Sequence, residues 1–91
     1  MANQQEPSTE FSLIIVSPDE VVLETTATRL MAPGVYQEIA ILPDHTPLYA
    51  ELKKGEVKIT QSDSKEEKVP IESGIMRVKQ NKVSIILGFK E

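Results

Sequence analysis

The sequence has no cysteine and a single histidine, His45. Without cysteine there is no disulfide framework, no thiolate metal site and no cysteine nucleophile. One imidazole excludes zinc sites built on two or three histidines. No run of Lys and Arg is interleaved with aromatics, and the formal net charge of −4 repels phosphate backbones, so nucleic acid is not an expected partner. The opening residues, Met1-Ala2-Asn3-Gln4-Gln5-Glu6-Pro7, lack both a basic n-region and an apolar h-region and do not read as a signal peptide. Apolar runs such as Leu13-Ile14-Ile15-Val16 fall far short of the ~20 residues that span a bilayer, so direct membrane insertion is not expected.

What is present favours strands. The chain has 91 residues, room for one domain with a thin core. Val and Ile together number 17 against 7 Leu, and β-branched side chains pack well on a pleated surface. Charge is uneven: residues 1–64 carry 4 basic and 10 acidic side chains, whereas residues 65–91 carry 6 and 4.

Residues 1–10 are polar and aperiodic and read as a disordered tail, with one domain over 11–91. Short apolar runs then follow at the spacing of a sandwich or barrel. Phe11–Val16 ends at Ser17-Pro18-Asp19-Glu20, where Pro18 suits the second position of a type I turn. Val21–Glu24, Thr28–Ala32, Glu38–Leu42 and Tyr49–Leu52 come next, with Pro33-Gly34 and Pro43-Asp44-His45-Thr46-Pro47 as breaks. Glu56–Gln61 alternates cleanly, and Asp63–Lys68 reads as a solvated hairpin tip. Pro70 demotes the strand around Val69 and Ile71 to an edge. Ile75–Lys79 and Val83–Leu87 complete the set; the latter is almost continuously apolar and is expected to be buried on both faces. The fold class is all-β, a small antiparallel β-sandwich or flattened barrel of about eight to ten short strands.

The catalytic inventory is poor. His45 could act as a general base, but Asp44 is its sequence neighbour and points the other way on an extended chain. Ser17 and Ser73 lie in no G-x-S-x-G elbow, and no G-x-x-x-x-G-K-[ST] or G-x-G-x-x-G occurs. Asp44, His45 and Glu51 have no spacing that demands a metal. No catalytic residue, cofactor or metal site is expected. The stretch Gly34 to Leu48 stands out instead. It carries a loop stiffened by Pro43 and Pro47, with Leu42, Asp44, His45 and Thr46 at or near its tip and Tyr36 and Glu38 beside it. Such a loop loses little entropy on docking, yet the residues alone fit an ordinary proline-rich corner equally well.

That stretch, Gly-Val-Tyr-Gln-Glu-Ile-Ala-Ile-Leu-Pro-Asp-His-Thr-Pro-Leu, resembles G-x-x-G-E-x-G-I-x-P-G-H-A-P-L in the epsilon subunits of F-type ATP synthases. Gly34, Glu38, Ile41, Pro43, His45, Pro47 and Leu48 match without a gap. Phe11–Pro18, Lys54–Ile59, Ser73–Val78 and Asn81–Ile85 resemble further family segments, so the likeness covers residues 11–88. Family glycines are replaced by Gln37, Ala40, Asp44 and Ser73. Asp tolerates a left-handed backbone, Gln37 points to an altered loop, and the Ala40 methyl to wider packing on its strand.

The resemblance implies the family's N-terminal β-sandwich in a short form, without the C-terminal helices that inhibit hydrolysis and in some members bind ATP. It implies a non-catalytic rotor subunit of a proton-translocating synthase, gripping the gamma subunit and the c-ring. The subunit would lie peripherally on the cytoplasmic side of the inner membrane. Carried over by position, Glu38 and His45 face the ring, and Ser17 and the surroundings of His45 face gamma. The candidate partner-binding set is Ser17, Tyr36, Glu38, Leu42, Asp44, His45 and Thr46. The alternative is a free-standing β-sandwich that binds some other protein.

Overall fold

A computed structural model describes residues 8–88 as nine strands in two sheets. The strands are β1 (Phe11–Val16), β2 (Val21–Ala27), β3 (Arg29–Pro33), β4 (Glu38–Ile41), β5 (Leu48–Leu52), β6 (Gly55–Thr60), β7 (Glu66–Ile71), β8 (Gly74–Lys79) and β9 (Lys82–Leu87). One sheet runs β2-β1-β9-β8-β5 and the other β4-β3-β6-β7. The expected β-sandwich is therefore present. Residues 1–7 of the expected tail and 89–91 of the expected domain lie outside the described residues, whereas residues 8–10 are tied down through hydrogen bonds at Ser8 and Glu10.

Alternation builds the core. Phe11, Leu13 and Ile15 of β1 turn inward with Met76 and Val78 of β8 and Val83 and Ile85 of β9. Leu30 and Ala32 of β3, Ile41 of β4 and Val57 and Ile59 of β6 meet them from the opposite sheet. No polar or charged side chain is buried among the described residues, so the core needs no internal hydrogen-bond network. β7 is the outer strand of its sheet, and Pro70 sits there opposite Glu56 without breaking a central ladder.

Three features depart from the sequence expectations. β9 is buried on one face only: Val83 and Ile85 are in the core, whereas Ile86 is 51% exposed on the outer face. The apolar run reflects an apolar patch on that face, where Ile86 pairs with Ile75 and Val16. The sheets are not wholly antiparallel, because β1 and β9 pair in parallel, Ser12 with Lys82 through Val16 with Ile86. Finally, Glu66, Glu67 and Lys68 belong to β7, paired with Thr60, Ile59 and Lys58, and the β6–β7 turn closes before them. In that turn the Lys65 N–H donates to Asp63 Oδ1 at 3.0 Å.

The β1–β2 connection is closed by a side chain. Ser17 N–H donates to the Glu20 carbonyl at 2.9 Å, while Glu20 N–H donates to Ser17 Oγ at 3.3 Å. Register then slips between Ile15 and Val16, which face Leu23 and Val21, leaving Val22 as the extra residue of a β-bulge.

Candidate functional site

Among the described residues β4 and β5 are the outer strands on one side of the sandwich, laddered inward to β3 and β8 respectively. They are not laddered to each other, so among the described residues the sandwich is open along this side. At one end the gap is pinned by the Gly34–Leu52 bridge, by Val35 N–H donating to the Glu51 carbonyl at 3.0 Å and by Lys53 N–H donating to the Pro33 carbonyl at 2.8 Å. Between the strands lies a shallow groove of about 670 Å³ whose lining includes Val35, Tyr36, Glu38, His45, Tyr49 and Glu51.

The groove is amphipathic. Tyr36 is 97% exposed and Tyr49 68%, so two aromatic side chains stand largely in solvent on one groove. Glu38 and Glu51 add two carboxylates to the same lining. His45 contributes an imidazole whose Nδ1 stands 2.6 Å from the Thr46 carbonyl. A carbonyl only accepts, so Nδ1 carries the proton in that contact and Nε2 is left to meet a partner. Aromatic faces beside carboxylates suit a cationic side chain with an apolar stem.

The loop from Leu42 to Pro47 carries the chain from one sheet to the other. Asp44 has φ 63°, in the left-handed region where Asp is among the best-tolerated non-glycine residues. Its N–H donates to Asn81 Oδ1 at 2.8 Å, and its carboxylate accepts the Ser8 N–H at 2.8 Å. Asp44 is thus held against the β8–β9 turn and the segment before β1, while its neighbour His45 lines the groove. Among the described residues no group of three or more His, Asp or Glu is placed to hold a metal ion.

Tyr36, Glu38 and His45 line the same groove, Tyr36 and Glu38 toward the end where β5 finishes and His45 toward the end where it begins. Leu42 is 55% exposed just outside the groove, and Thr46 is exposed with its carbonyl taken by His45. Ser17 lies elsewhere: the register from Val16 through Ile86 and Ile75 to Glu51 puts it at the far end of the sheet from His45. Its hydroxyl is engaged within its own turn. Ala40 is exposed, so its methyl faces solvent and does not widen the packing. Gln37 is exposed and is not among the positive-φ residues, so a side chain is accommodated there without strain. Sequence reasoning missed Val35, Tyr49 and Glu51 as groove residues. The alternation of Tyr49 and Glu51 with Leu52 signalled their outward faces, but only the pairing order makes β5 an edge.

The family model for the ATP synthase Delta/Epsilon chain beta-sandwich domain matches residues 10–88. The chain belongs to that family. It is 42% identical over 81 residues to the ATP synthase epsilon chain of Dichelobacter nodosus, covering 89% of this chain and 56% of that protein. It is 35% identical over 72 residues to the epsilon chain of Bordetella avium, covering 79% of this chain and 51% of that one. The chain thus spans little more than half the length of these relatives. In fold it is similar to a chain of the Euglena gracilis mitochondrial ATP synthase (OSCP/F1/c-ring), with a TM-score of 0.85 at 17% identity over 93% of this chain and 54% of that one. A chain of the Tetrahymena thermophila mitochondrial ATP synthase central stalk/c-ring gives 0.73 at 14% identity, over 93% and 67%. No helix among the described residues is long and apolar enough to cross a membrane.

Proposed function

We propose that this epsilon-family sandwich is a non-catalytic rotor subunit of the central stalk, binding gamma and the c-ring and coupling ring rotation to the catalytic head. The observation that carries the reading is the convergence of Tyr36, Glu38 and His45 on one open groove in a chain of this family. Charge supports it. The end of the sandwich where β5 finishes gathers Asp19 and Glu20 from the β1–β2 turn, Glu38 and Glu51 from the groove, and Glu72 from the β7–β8 turn. Among the described residues, Lys53 and Lys54 in the adjoining β5–β6 turn oppose them. An acidic end of this kind steers a basic loop toward the apolar side chains of Tyr36 and Val35. Each exposed ion pair adds only ~0.2–1 kcal/mol, so several act together with the aromatic contacts.

Recognition fits the groove better than catalysis does. Among the described residues the hydrogen bond of His45 runs from Nδ1 to the Thr46 carbonyl, and no serine or threonine hydroxyl is bonded to its ring as a nucleophile for it to activate. In this reading the protein is peripheral, on the cytoplasmic side of the inner membrane, held there by the complex.

A pull-down from solubilised membranes with the tagged chain tests this. Recovery of gamma, c-ring and catalytic subunits is expected. Recovery of the chain alone, as a free monomer, would overturn the rotor assignment in favour of a free-standing binding module.

A further inference from the structure

The β8–β9 turn does more than reverse the chain. Gln80 (φ 51°) and Asn81 (φ 60°) both lie in the left-handed region, as a two-residue hairpin with a type I′ turn requires. Asn81 makes three hydrogen bonds from this position. Its Oδ1 accepts the Asp44 N–H at 2.8 Å, its Nδ2 donates to the Glu10 carbonyl at 2.8 Å, and its own carbonyl accepts the Ser12 N–H at 3.2 Å. One amide end meets a donor and the other an acceptor, which fixes the side-chain orientation. The circuit is closed by the Ser8 N–H, which donates to the Asp44 carboxylate. Three segments remote in sequence, residues 8–12, the His45 loop and the β8–β9 turn, are therefore tied at one point.

We infer that Asn81 is a positioning residue for the His45 loop, and that residues 8–10 form a strap that locks onto the loop through Asp44. The prolines stiffen the loop internally but do not fix where it stands against the sandwich. Asn81 supplies that placement from one side and the strap from the other. Asp44 turns toward this latch, so His45, next in the chain, is left facing the groove. A partner that displaces His45 also releases the strap, which links the groove to the N-terminal segment. The latch belongs to the free protein and stands whether or not the groove serves a rotor contact.

Amide exchange and backbone relaxation on the full chain test it. Asn81→Gly keeps the left-handed turn and removes only the side chain; Asn81→Asp keeps the acceptor for Asp44 N–H but loses the donor to Glu10. In Asn81→Gly, exchange at the Asp44 amide is expected to rise about tenfold relative to core amides such as Ile85. In Asn81→Asp the Asp44 amide stays protected while residues 9 and 10 gain fast motion. Unchanged Asp44 protection in Asn81→Gly would overturn the inference. So would a loss shared equally with Ile85, because that is general destabilisation and not release of a latch.

Discussion

Gly34 is buried where β3 gives way to the groove, and a Cβ built there would collide with the Gln37 carbonyl and stand 2.8 Å from Ile39 Cδ1. A backbone carbonyl cannot swing aside as a side-chain tip can, so the groove's inner wall closes only around a residue without a side chain. Gly34→Ala is expected to lower stability by about 1–3 kcal/mol, the range for overpacking, measured by urea unfolding. An unchanged midpoint would show that the turn at Val35–Gln37 yields freely. At this scale the sequence carried much of the answer. Asp44 in place of a family glycine pointed to a left-handed backbone, and φ 63° bears that out. Asn81 gave no such warning, because its role depends on segments 37 and 71 residues away.

Among the strands, those with clean alternation were readable from sequence: Val57 and Ile59 turn in, Lys58 turns out. β9 was not, since its run from Val83 to Leu87 is apolar for two reasons, core on one side and surface patch on the other. Ile85 and Ile86 separate them. Ile85→Ala empties a fully buried site and is expected to cost about 2–5 kcal/mol, a large fraction of the stability of so small a domain. Ile86→Ala, next in the chain, is expected to cost no more than about 1 kcal/mol, the range for a cross-strand pair on an outer face. Equal losses by denaturant titration would contradict burial on a single face. The parallel β1–β9 pairing was illegible for a different reason: strand patterns specify which face is buried, not which distant strand lies alongside.

Over the whole molecule, pairing order places the candidate site more than composition does. Making β4 and β5 the outer strands of opposite sheets leaves one side open and sets Tyr36, Glu38 and His45 around it, while sending Ser17 to the far end. The motif from Gly34 to Leu48 marked the groove's first wall; the second, from Tyr49 to Glu51, came from topology. The absence of native cysteine offers a direct test, because a single introduced thiol labels one position only. Glu38→Cys and His45→Cys, each carrying a benzophenone, would be reconstituted with the purified synthase and irradiated, with Lys68→Cys on the opposite outer strand β7 as reference. The rotor account predicts cross-links from positions 38 and 45 to gamma or the c-ring and none from position 68. Cross-links from position 68 alone, with the chain bound to the complex, would contradict it.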